Sequence, residues 1–234
     1  MACDHGGLKR REFLASAGAF AAYGAATRAA ALAAPAPGQP TPLEAIQMLK
    51  DGNARFAAGT PTHHLEVEAR REAGVAGQQP FALVLSCSDS RVPPEVIFDQ
   101  GIGSLFVVRV AGNYATSDGI GSFEYAIAHF QSPLLLVLGH QNCGAVKAAL
   151  DAVNTNQKIE GDLGVVVDGV KPAVAASANQ PGDHFENAIQ ANIRLAIANI
   201  QKASPIVREA VAAGKLQLFG GEYALGTGKV TMVS

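Results

Sequence analysis

Phe81-Ala-Leu-Val-Leu-Ser-Cys87-Ser-Asp89-Ser-Arg91 is the stretch that decides the fold. Phe81 to Leu85 is an unbroken apolar run. A strand covered on both faces reads this way, whereas a strand with one wet face alternates. A polar turn then takes over and carries Cys87, Asp89 and Arg91. The same order recurs at Leu134-Leu-Leu-Val-Leu138, where the run leads into Gly139 and then His140-Gln-Asn-Cys143. In a parallel sheet, ligands and chemistry collect at the carboxyl ends of the strands. Both motifs are expected at one such edge.

The flanking segments supply the rest of an alternating pattern. Ser104 to Val110 reads as a strand, and Ala111-Gly112-Asn113 as a turn away from it. Ser117 to Phe130 reads as a helix with Phe123, Ile127 and Phe130 on one face, and Gly144 to Val153 as a helix opened by the second motif. Upstream, Thr41-Pro42-Leu43-Glu44 offers an N-cap, a Pro at the first helical position and a capping-box Glu, opening a helix to Phe56. Residues 57–80 read as a polar loop holding His63-His64, and Pro93-Pro94 as the start of a short helix ending near Asp99. Residues 154–182, rich in Gly, Asn and Asp, read as a long loop with some helix. Asp183 and Ser204 are expected to cap helices reaching about Ala203 and Ala213. Lys215 to Tyr223 reads as a last strand and Gly226 to Val233 as an extended tail. Strands alternating with helices give an α/β fold: a largely parallel β-sheet core flanked by helices.

At 234 residues the chain can bury the core of one large domain. Its net charge of -2, with no basic run beyond the N-terminus, argues against a nucleic-acid partner. Lys9-Arg10-Arg11 followed by an uncharged, Ala- and Gly-rich run from Phe13 to Thr27 has the layout of a secretory leader. Ala31-Leu32-Ala33 is a small-x-small cleavage signal, and the paired arginines point to twin-arginine export. The run is shorter than the roughly 20 apolar residues of a membrane span. The expectation is therefore a signal peptide over 1–33, a single domain over 34–234, a periplasmic or otherwise exported product and no stable membrane span after cleavage. Cys3 leaves with the leader, so the domain keeps Cys87 and Cys143. Cargo that folds before export can load a metal in a reducing compartment, which favours a metal site over a disulfide.

Two thiolates, an imidazole and a carboxylate form a donor set that Zn²⁺ takes in tetrahedral geometry. Cys87, His140 and Cys143 are the candidate ligands, with the fourth position open to Asp89 or to water. Arg91, two residues from Asp89, offers a fork that matches a carboxylate and so competes with the metal for it. With water in the open position, zinc lowers the pKa of that water, and attack of zinc-bound hydroxide on a small electrophilic carbon is the expected chemistry.

Cys87-Ser-Asp-Ser-Arg-Val92 followed by Gly139-His-x-x-Cys-Gly-Ala145 resembles the β-class carbonic anhydrases. Asp99-Gln-Gly101, Phe106-Val-Val-Arg-Val-Ala-Gly-Asn113, Ser122-Phe-Glu-Tyr-Ala126 and Gly226-Thr-Gly-Lys-Val230 extend the likeness across nearly all of the expected domain. The resemblance implies zinc on Cys87, His140 and Cys143, Asp89 as an exchangeable metal ligand, and Asp89 and Arg91 as a catalytic pair. It also implies a homodimer or homotetramer and the reversible hydration of CO₂ to bicarbonate and a proton. The chain departs from some members at Val84, where an inhibitory bicarbonate pocket uses Trp, and at Ser86, usually Gly; Arg109 is kept. Two other readings share the motifs. One is a carbonyl sulfide or carbon disulfide hydrolase on the same scaffold, and the other a non-catalytic zinc or bicarbonate-binding domain with Asp89 fixed on the metal. Outside the motifs, His63 and His64 are loop histidines that could pass protons, Arg109 is a candidate carboxylate partner, and Tyr125 belongs to the core or an interface.

Overall fold

A computed structural model describes residues 38–156 and 158–233. The expected leader over 1–33 lies outside the described residues. A five-stranded sheet runs in the order β2-β1-β3-β4-β5. Its strands are β1 (Ala82–Cys87), β2 (Leu105–Val110), β3 (Leu134–His140), β4 (Gln217–Tyr223) and β5 (Val230–Val233). The first four pair in parallel, and β5 closes antiparallel on β4. The central strands β1 and β3 are buried at every position, which is why they read as continuous apolar runs. Edge strand β2 is half-covered along most of its length.

Alternation along the strands divides the core between the two faces of the sheet. Leu83, Leu85 and Cys87 face one side, together with Leu135, Val137 and residues of the helices α4 (Ser117–Phe130), α5 (Gly144–Thr155), α6 (Leu163–Ser177), α7 (His184–Ala203) and α8 (Pro205–Ala212). Ala82, Val84, Leu134, Leu136 and Leu138 face the other, under α1 (Pro42–Ala57) and α3 (Pro94–Ile97). Truncating Leu136, which is 1% exposed, to Ala would cost about 2–5 kcal/mol.

The capping box forms as expected. Thr41 Oγ1 accepts the Glu44 amide at 3.3 Å, and Glu44 Oε2 accepts the Thr41 amide at 2.7 Å. On α1 the buried Asn53 is a three-way clamp. Its Nδ2 donates to the carbonyls of Ile97 and Gly228, and its Oδ1 accepts from Val230 N–H. That clamp ties α1, the end of α3 and the start of β5 together.

Two segments depart from the sequence reading. Residues 57–80 contain a one-turn 3₁₀ helix at His63–Glu66 and α2 (Val67–Ala73), neither of which buries a residue. With no apolar face there is no period to detect. More of 154–182 is helical than a loop reading allows, because α6 takes up Leu163–Ser177 despite an internal Pro172. Its glycines and proline depress intrinsic propensity, yet packing decides. Val167, Val170 and Val174 are buried in the core, and a Cβ at Gly169 would stand 2.5 Å from the Tyr114 ring.

Candidate metal centre

The two motifs meet because β1 and β3 are adjacent and parallel. Cys87 is the last residue of β1, His140 the last of β3, and Cys143 the N-cap of α5. One ligand atom from each lies within 4.8 Å of the others. All three are buried, at 4%, 0% and 1% exposure, so water does not satisfy these donors.

His140 Nδ1 donates to the Gln141 carbonyl at 2.9 Å, since a carbonyl can only accept. The ring is thereby fixed, and Nε2 faces inward as a lone pair. Nε2 is buried without a hydrogen-bond partner. Both cysteines are free thiols. A hydrogen bond from Cys143 is the chief reason that the Cys87 thiol is pushed down, against burial, with further help from the Gly112 and Asp89 amides. The same contact pushes the Cys143 thiol up. Two buried sulfurs thus face an unpartnered imidazole nitrogen. A buried trio of this kind fits a thiophilic dication such as zinc, which takes thiolate sulfur and satisfies the nitrogen.

Several backbone groups brace the trio. Val110 to Asn113 forms a four-residue turn closed by Asn113 N–H on the Val110 carbonyl at 3.1 Å. Gly112 takes its third position at φ +82°, as a type II turn requires. From there the Gly112 amide donates to Cys87 Sγ at 3.2 Å, while its carbonyl accepts from Asn192 Nδ2 at 2.7 Å. A side chain at Gly112 would meet Val170 at 2.9 Å and Ala145 at 3.0 Å. Arg109 does not pair with a carboxylate. Its Nε donates to the Cys87 carbonyl at 2.9 Å and its Nη2 to the Asp89 carbonyl at 2.6 Å, stapling the first motif to β2.

Asp89 sits at the rim. Arg91 grips it with Nε on Oδ1 at 2.9 Å and Nη2 on Oδ2 at 2.8 Å, and the Arg91 amide adds a third bond to Oδ1 at 2.9 Å. Hydrogen bonding from the Arg91 side chain, against some burial, holds the Asp89 carboxyl well below the usual carboxylate range. Its Oδ2 lies 3.9 Å from His140 Nε2, close to the trio but outside bonding distance of that nitrogen.

The other singled-out residues lie apart from this cluster. His63 Nδ1 is 2.8 Å from Asp99 Oδ1. Tyr125 is half-exposed and stacks near Phe106, Phe130 and His129. Sequence reasoning missed the Gly112 amide and Asn192. The first could have been sought in the Ala111-Gly112-Asn113 turn, whereas no local signal marks the second.

The family model described as carbonic anhydrase matches residues 82–230, which includes both motifs and the four parallel strands and ends at the first residue of β5. Carbonic anhydrase 2 of Mycobacterium tuberculosis is 39% identical over 191 residues, covering 82% of this chain and 92% of the relative. The solved β-carbonic anhydrase of Coccomyxa, in complex with acetazolamide, matches with a TM-score of 0.64 at 28% identity, covering 78% of this chain and 83% of that one. One of two tetrameric β-carbonic anhydrases from the filamentous ascomycete Sordaria macrospora matches with a TM-score of 0.62 at 25% identity, covering 71% of this chain and 89% of that one. By the span of these matches, and by the fold they share, the chain belongs to the carbonic anhydrase family, in its β class.

Proposed function

We propose that this enzyme interconverts CO₂ and bicarbonate, with Cys87, His140 and Cys143 holding zinc and Asp89 and Arg91 as the catalytic pair. The observation that carries the reading is the placement of an ionised Asp89, bound in a fork by Arg91, 3.9 Å from the inward nitrogen of a buried Cys-His-Cys trio. Zinc, when bound, supplies Lewis acidity that brings the pKa of a water in an open coordination position towards about 7.

The chain's own residues do the rest. Arg91 keeps Asp89 deprotonated, so the carboxylate accepts a hydrogen bond from the attacking water and aims its lone pair at the carbon of CO₂. Attack forms one C–O bond and yields bicarbonate, and the proton leaves to solvent. The buried walls formed by Cys87, His140 and Cys143 exclude bulk water from the inner side of the site. Asp89 is also close enough to exchange Arg91 for the metal, which would close the site and rest the enzyme.

The sulfur-substrate and non-catalytic readings are not favoured, since the matched relative is named a carbonic anhydrase and the Asp89–Arg91 pair is intact. We further propose a homodimer or homotetramer. The half-covered edge strand β2, the exposed Tyr125 beside it and the tetrameric Sordaria relative support that reading. The leader motif supports export, and among the described residues no helix is long and apolar enough to cross a membrane. Mass spectrometry of the secreted product, showing a chain that starts near Ala34, would support that part; an intact N-terminus in the cytoplasm would refute it.

The test of the central reading is stopped-flow CO₂ hydration by the zinc-loaded protein across pH. Turnover should rise with pH. No turnover at any pH, with zinc measured in the protein, would overturn it.

A further inference from the structure

Asn192 is 105 residues from Cys87 in sequence, yet it reaches the sulfur through one residue. It sits on α7, 3% exposed, on the face that packs against the sheet. Its Nδ2 donates to the Gly112 carbonyl at 2.7 Å, across a sequence separation of 80 residues. Gly112 in turn donates its own N–H to Cys87 Sγ at 3.2 Å. At φ +82° Gly112 occupies a conformation that glycine tolerates and that needs outside support to stay in one geometry. Its N–H is anchored to the sulfur and its carbonyl to Asn192, so the side chain from α7 is the support on the far side of the turn.

We propose that Asn192 is a positioning residue that sets the donor strength of the Cys87 thiolate, by locking Gly112 so that its amide stays on the sulfur. This rests on the reading of Cys87 as a metal ligand. A hydrogen bond to a thiolate withdraws charge from the sulfur, so the sulfur gives less to a bound metal and the metal stays more electrophilic. A site with two thiolates has more sulfur charge to moderate than one built from imidazoles. Two backbone amides act on the Cys87 sulfur, Gly112 at 3.2 Å and Asp89, and of these Gly112 is the one whose carbonyl Asn192 holds. Asn192 contacts neither substrate nor metal; it acts through the Gly112 peptide. A purely structural role would be to satisfy one buried carbonyl, which any donor could do and which would leave the sulfur's electronic properties alone.

The test uses Co²⁺ in place of zinc in the full protein, because thiolate-to-cobalt charge-transfer absorption reports the energy of the sulfur lone pair directly. In Asn192→Leu, which removes the donor and keeps the four-atom branched skeleton, the band should move to longer wavelength, since the lone pair loses its stabilising hydrogen bond. Asn192→Ser, whose hydroxyl is too short to reach the Gly112 carbonyl, should move it in the same direction, and whichever variant folds decides. Ile200→Ala, a buried truncation two turns along the same helix, loosens α7 without touching Gly112 and should leave the band in place. An unmoved band in the Asn192 variants, or an equal shift in Ile200→Ala, overturns the proposal. Absence of any thiolate charge-transfer band in the wild-type cobalt protein would instead overturn the ligand assignment itself, and the inference with it.

Discussion

Two aspartates, ten residues apart in sequence, follow the same strand, and both stay ionised by different means. Asp89 is held by one residue, Arg91, through its amide and its guanidinium. Its side chain is 18% exposed and that of Arg91 53% exposed, so the pair faces water. Asp99 has a fully buried side chain on a backbone at φ +48° and is gripped from several directions. Its carboxylate accepts from the Arg55 guanidinium, from the amides of Thr62 and His63, and from the Thr62 hydroxyl. Burial opposes its ionisation, yet the His63 amide, Arg55 and the other donors still hold it well below the usual carboxylate range. A carboxylate with one exposed partner can exchange that partner, whereas a buried one gripped by several donors is a fixed post. The first arrangement suits chemistry and the second suits architecture.

The sharpest way to break this contrast is Asp89→Ala. Turnover should fall by about 10²-fold or more, the scale of a lost acid–base group. Zinc content by elemental analysis should stay at the wild-type level, and stability should change by no more than about 1 kcal/mol, as for an exposed pair. Loss of zinc together with the fold would make Asp89 a structural post like Asp99.

Asp99→Asn should give the mirror image. Urea denaturation should show a loss of about 2 kcal/mol, the scale of buried hydrogen bonds to a charged group, with turnover per folded molecule unchanged. The pH dependence follows from the sign of the shift. A carboxyl held low in the folded protein contributes stability above the ordinary Asp range near about 4, and that contribution fades as pH falls below it. The gap between wild type and Asp99→Asn should therefore narrow in acid. A gap that widens would mean that the charge on Asp99 is not what holds the turn.

Arg91→Lys is the finest probe. A lysine keeps the charge but loses the fork that fits both Asp89 oxygens. Turnover should drop by roughly tenfold, about 1.4 kcal/mol by the usual conversion, which is less than the loss in Asp89→Ala. Unchanged turnover would show that charge alone, and not orientation of the carboxylate, is what Arg91 supplies.

The contrast also marks what could be read from the chain alone. Strands β1 and β3 were legible because burial on both faces leaves no polar residue to break the run, and the metal motifs because they sit directly at those strand ends. The boundaries of α4 follow from its apolar face and are met at both ends, Ser117 and Phe130. Helix α6 was not legible, because its stability comes from packing of Val167, Val170 and Val174, while Gly164, Gly169 and Pro172 weaken any local signal. Asp89 and Arg91 could be paired on paper, being two residues apart on a turn. The Asp99 cluster could not, because its donors come from α1 and from a segment with no period, 36 to 44 residues away. Arg109 misled for a related reason: a guanidinium at a strand end suggests a carboxylate, and backbone carbonyls offered by a neighbouring turn leave no trace in side-chain identity.

The depth of the Cys87–His140–Cys143 trio has a kinetic consequence. With exposures of 4%, 0% and 1%, the three protein ligands cannot swing away to surrender an ion to a chelator while the strand ends stay closed. Release would have to wait for the turns after β1 and β3 to open, and its rate would then follow that local breathing rather than the strength or concentration of the competitor. Holo molecules made in one compartment would keep their ion through dilution and transport, as a clock set by motion rather than a balance set by affinity.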